Sequence, residues 1–103
     1  MLNQVIVVGR LTTEPQKEEI NGKVRSVITL AVSRNYKNVD GVYETDFINC
    51  ILWSGISENV CEYCHKGDLI GIKGRLQTTD NVLQIVAEKV TSLSSKKEEE
   101  SED

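Results

Sequence analysis

Three features of the sequence predict an all-β fold, with five strands closed into a barrel and one short helix between the third and fourth strands. Five segments rich in β-branched and apolar residues alternate with period two. A single stretch between the third and fourth of them carries helix boundary signals. Glycines stand inside the first and fourth strands, where a strand coiling round a closing barrel has to bend.

The first strand covers residues 3–11 (NQVIVVGRL), with Gly9 inside it. A polar connection runs from Thr12 to Lys23; it holds the only proline, Pro15, and an Asn21-Gly22 turn signal. The second strand, 24–34, places Ile28, Leu30 and Val32 on one face. Asn35 to Val42 reads as a loop, and 43–53 (YETDFINCILW) as the third strand. The helix is expected over about 57–65, with Ser57 as N-cap and Gly67 as its stop. The fourth strand, 68–78, contains Gly71 and Gly74; a tight turn at Thr79-Asp80-Asn81 leads to the fifth, 82–93. This order of elements is that of an OB-fold. Residues 1–93 are expected to form one domain and residues 94–103 a short disordered acidic tail.

The net charge of −4 is unevenly spread. Residues 1–93 hold ten Lys/Arg and eleven Asp/Glu, whereas the tail holds two lysines and five acids, so the expected domain is nearly neutral. No apolar run approaches the roughly 20 residues of a membrane helix. The N-terminus shows no signal-peptide pattern, and three cysteines are an odd number, which together point to a cytoplasmic, reduced chain.

The third strand carries the functional signal. Alternation puts Ile48, Cys50 and Leu52 on one face, an apolar set for a core. The other face holds Phe47, Asn49, Ile51 and Trp53, large aromatics beside polar groups, as a stacking platform for bases requires. The fourth strand puts Lys73, Arg75 and Gln77 on one face, and the loop after the second supplies Arg34, Tyr36 and Lys37. Cations that follow phosphates and flat rings that meet bases are the two needs of a single-strand binder.

Other chemistries find less support. Cys61-Glu62-Tyr63-Cys64-His65 matches C-x-x-C-H, the haem-attachment spacing, but there is no export signal and no plausible second axial ligand. Zinc needs four ligands, and a lone C-x-x-C with Cys50 and His65 is a thin set; packing of the helix on the barrel accounts for these thiols. Glu44 and Asp46 read as a solvated strand edge, and no phosphate-cradling glycine loop is present. Neither enzyme activity, nor a metal, nor a cofactor is expected.

The segments NQVIVVGRLTTEP, VITLAVSRNYK, TDFINCILW and YCHKGDLIGIKGRLQT resemble the bacterial and phage single-stranded DNA-binding protein family, over residues 1 to about 93. The resemblance implies an OB fold, assembly as a homotetramer, and binding and protection of single-stranded DNA in replication, recombination and repair, near the nucleoid. It implies stacking roles for Tyr36, Phe47 and Trp53, and phosphate contacts from the regions of Arg34, Lys37, Lys73 and Arg75. Three departures stand out. The hairpin between the last two strands has only TTDN where relatives have a long basic loop. Asn49 stands where many have a cation. The acidic tail ends EEESED, without the terminal Ile-Pro-Phe through which partner proteins dock. An OB-fold protein-interaction subunit with weak or no DNA affinity is the alternative.

Overall fold

The computed structural model describes residues 1–93. The expected acidic tail, 94–103, lies outside the described residues. Six strands and one helix follow in the order β1 (Val5–Leu11), β2 (Glu18–Ile20), β3 (Lys23–Lys37), β4 (Tyr43–Trp53), α1 (Ser54–Tyr63), β5 (Leu69–Thr79) and β6 (Val82–Ser92). The sheet order is β1-β5-β6-β4-β3-β2, and pairing of β1 with β3 closes five of the strands into a barrel. This is the OB-fold arrangement, with the single helix bridging β4 and β5.

Closure rests on β1. Its residues Val5 to Arg10 pair with β5 from Gly74 to Leu69, while Arg10 and Leu11 also pair with Ala31 and Leu30 of β3. Gly9 lies beside this crossing: a Cβ there would stand 2.7 Å from the Ala31 carbonyl oxygen and 2.8 Å from Val32 Cγ2. Gly74 is needed for the same reason, since a Cβ would run into the Val86 carbonyl where β6 slips its register. The interior is filled by Leu11, Ile28, Leu30, Cys50, Leu52, Ile70, Ile72 and Ile85. These are the inward positions that period-two alternation marks.

Four boundaries differ from expectation. The polar connection contains β2, a three-residue strand folded back on β3 across Asn21-Gly22, whose φ angles of 51° and 80° suit a type I′ turn. It escapes pattern reading because all three of its residues are exposed. β3 runs on to Lys37, so Tyr36 and Lys37 belong to a strand. The loop shrinks to Asn38–Val42, where Asn38 Oδ1 accepts from the Asp40 and Val42 amides. The helix starts directly at Ser54 rather than near 57, because Ile56, Val60 and Cys64 form the stripe facing the barrel. Ser57 is therefore a buried helix residue and not the cap. The helix also ends earlier, at Tyr63, leaving Cys64 extended while its amide still bonds the Val60 carbonyl at 2.9 Å.

The helix is docked by apolar and polar contacts together. Ser57 Oγ lies 2.6 Å from Ser26 Oγ, with both side chains fully buried, and Cys61 Sγ lies 3.3 Å from Ser26 Oγ. Cys50 and Cys64 are buried thiols; burial pushes Cys50 up to about 12 and raises Cys64 as well, so both pack as small apolar groups.

The serine pair generates a stability prediction. Ser57→Ala alone leaves the buried Ser26 hydroxyl with only the Cys61 thiol, a weak partner, and should cost about 1–3 kcal/mol in denaturant unfolding. The Ser26→Ala/Ser57→Ala double variant should recover most of that loss.

Candidate nucleic-acid interface

β3 and β4 form a long antiparallel ribbon whose register places outward-facing residues in rows: Arg25 with Trp53, Val27 with Ile51, Thr29 with Asn49, Ala31 with Phe47, and Lys37 with Tyr43. The opposite face of β4 supplies the core residues Cys50 and Leu52. Phe47 consequently stands free, 67% exposed, while Ile51 between it and Trp53 is only 5% exposed. Trp53 is half-buried beneath the Arg25 guanidinium, 5.8 Å from the ring centroid. Lys37 Nζ lies 5.7 Å from the Tyr43 ring at the other end of the ribbon. Phe47 and Trp53 are six residues apart on one strand, roughly 20 Å, so they can meet different bases but not the same one.

The basic face of β5 joins this platform through β6. Arg75 pairs with Val86, Val86 with Ile51, and Ile51 with Val27, giving one outward row across four strands. Two strand spacings separate Arg75 from β4, roughly 10 Å. Gln77 lies opposite Gln84 on β6, and Lys73 opposite Lys89. Arg75 is partly held by Glu88 at 3.3 Å, whereas Lys73 makes no ion pair among the described residues. Asn49 is fixed by an accepted bond from Thr29 Oγ1 at 2.9 Å.

The structure thus brings Phe47, Asn49, Trp53, Arg75, Gln77 and Lys73 to one continuous outer face, with Lys37 at its far end. Arg34 is elsewhere. Its guanidinium makes a bidentate pair with Asp46, at 2.9 and 3.1 Å, and bonds Glu44 at 2.7 Å, on the opposite face of the ribbon. These hydrogen bonds hold the Asp46 carboxyl below its usual value and raise Arg34 above its own. Tyr36 is exposed and close enough to Arg34 to bear on its charge, so the two sit together away from Phe47 and Trp53.

Pattern reading passed over Arg25 and left Tyr43 open between a binding and a packing role. The signal for Tyr43 was available in the same alternation that marks Phe47. Arg25 could be found only by counting cross-strand partners. Beside Phe47 a groove opens at the barrel mouth, lined by Val5, Val7, Leu76 and Leu83. Among the described residues no three metal-ligating side chains gather, and no helix is long and apolar enough to cross a membrane.

Fold and face together define an OB-fold protein that presents an open aromatic and cationic strand surface. The chain belongs to the single-strand binding protein family, whose model matches residues 2–97. It is 47% identical over 79 residues to single-stranded DNA-binding protein B of Bacillus subtilis, covering 76% of this chain and 70% of that one. It is 38% identical to the single-stranded DNA-binding protein of Lactiplantibacillus plantarum, over 97% of this chain and 55% of the relative. With the protein of that name from Halalkalibacterium halodurans it shares 44%, over 90% and 61%. The chain thus spans between about half and two thirds of the length of several relatives.

The Arg34–Asp46 pair has a signed pH dependence. Asp46 is depressed in the folded state, so its contribution is present above the ordinary carboxylate range and lost as pH falls through its lowered value. The stability gap between wild type and Arg34→Gln should be widest above about pH 5 and close progressively on acidification, read by denaturant unfolding at stepped pH.

Proposed function

We propose that this chain binds single-stranded DNA without strong sequence preference and has no enzymatic role. The observation that carries this reading is Phe47, two-thirds exposed on the face opposite a complete core set, and on the same face as Trp53 and Arg75. A large ring kept in water at the centre of a sheet contributes little to folding, and suits a partner that brings its own flat apolar face. The names of the relatives point to the same ligand.

In this reading Phe47 and Trp53 stack on bases, and Tyr36, on the other face of the ribbon, meets only a strand that passes round its end. Lys37, Lys73 and Arg75 neutralise phosphates, and Asn49 and Gln77 offer hydrogen bonds to base edges or sugar. Arg34 braces the ribbon through its two carboxylates and adds charge only at the margin. Membership of the family supports a cytoplasmic place in replication, recombination and repair.

The same reading includes a homo-oligomer, a tetramer as the family resemblance implies. Ile6 and Val8 are exposed on the outer face of β1, and from Val5 to Gly9 that strand is paired on one edge only, with β5. An apolar face beside an open strand edge suits a second copy. Ile6→Lys should lower the mass measured by light scattering; an unchanged mass would place the contact elsewhere.

A protein-interaction subunit is the second reading, favoured by the two-residue turn between β5 and β6 and by the net negative charge. Titration with oligothymidine at two salt concentrations separates the two. Binding should quench Trp53 fluorescence and weaken as salt rises. Phe47→Ala and Trp53→Ala should each cost about 1–3 kcal/mol, a range that carries over from single-strand binders of this class. No binding at low salt would leave the interaction subunit standing.

A further inference from the structure

Glu18, Arg25 and Trp53 form one row across β2, β3 and β4, each the direct cross-strand partner of the next. Glu18 Oε2 accepts from Arg25 Nε at 2.7 Å, and the guanidinium lies over the Trp53 ring. The carboxylate engages only the Nε edge; the two Nη groups make no hydrogen bond among the described residues. A planar cation held beside a half-exposed ring, with about four N–H donors free, is a preorganised site for a phosphate. We propose that Arg25 binds the backbone phosphate of the nucleotide whose base meets Trp53, and that Glu18 is its built-in competitor. The proposal rests on the single-strand reading given above.

The hairpin gives Glu18 its place. β2 has three exposed residues, Ile20 the partly covered one at 36%, and none belongs to the core. What its tight Asn21-Gly22 turn does achieve is to fix Glu18 opposite Arg25. The pair is surface-exposed, with side chains 29% and 49% accessible, so it is weak enough to open when a phosphate arrives. Until then the carboxylate occupies the Nε edge of Arg25 and offsets its charge. Arg75 with Glu88 shows the same pairing on β5 and β6, so two of the platform's cations are held by acids in the free protein.

The test measures oligothymidine affinity against salt for the full chain and three variants, with thermal melting as a check on folding. Arg25→Gln should weaken binding at low salt and make the slope of log K against log salt shallower by about 0.7, one phosphate's share on a single strand. Glu18→Gln should tighten binding by about two- to fivefold. The double variant should match Arg25→Gln, because Glu18 acts through Arg25. An unchanged slope in Arg25→Gln would overturn the proposal. So would a Glu18→Gln gain that persists in the Arg25→Gln background, which would mark a general charge effect. If Trp53→Ala loses affinity while both charge variants behave as wild type, this proposal alone fails. If wild type shows no salt-dependent binding, the underlying reading fails with it.

Discussion

The structure depends on one crowded crossing, where β1 leaves β5 for β3. A barrel has no free edge only if some strand pairs on both sides, and β1 does so at Arg10 while its neighbour Gly9 lies against the Ala31 backbone. Any side chain at Gly9 would push β3 outward and open the seam. With the seam closed, inward residues of all five barrel strands share one core, and outward residues such as Phe47 are released from packing duty, though Ile51 and Val86 on that face stay buried. The functional face exists because the interior is already full without it.

Charge on that face is arranged by local pairing. The domain is almost neutral in sum, and three of its arginines are each answered by acids: Arg25 by Glu18, Arg75 by Glu88, Arg34 by Asp46 and Glu44. Such exposed pairs add little stability. Their larger effect is on the field seen by an approaching polyanion. A surface whose guanidiniums are pre-paired attracts from a distance less than its count of arginines suggests, so contact must be won at short range. Stacking on rings is a short-range interaction; Trp53 stands in the row of Arg25, and Phe47 on the same face of the sheet as Arg75.

Strands were legible in the sequence wherever one face was apolar and the other polar, because period two then has only one solution. That holds for β1, the core-facing part of β3, β4, β5 and β6, and it located Phe47 and Trp53 without further help. It fails for β2 and the end of β3, where both faces are wet and the backbone pairs for lack of anything else to do. It also misplaced the start of α1: Ser57 resembles a cap by type, but its hydroxyl is committed to Ser26 on a strand 31 residues earlier. Arg34 and Tyr36 were grouped with Lys37 by proximity in the chain. Arg34 continues the alternation of Leu30 and Val32, and the acids at 44 and 46 hold it there, on the face opposite Phe47. Proximity along the chain does not show which face of a strand a residue takes. Cross-strand partnership, which identifies Arg25, requires the register that only the folded sheet supplies.

The short β5–β6 turn bears on the kind of site this is. Asp80 and Asn81 both take positive φ, 53° and 66°, so Thr79 and Val82 face each other directly and the hairpin ends there. A longer hairpin could fold over the barrel mouth and cover Phe47; this one cannot reach beyond its own last pair. Leu83 and Leu76 are left exposed beside Phe47, and the groove between them stays open. An open apolar groove can accept a ring but cannot enclose one, so it discriminates poorly between rings of different size. Open walls favour tolerance of sequence over selection of a base.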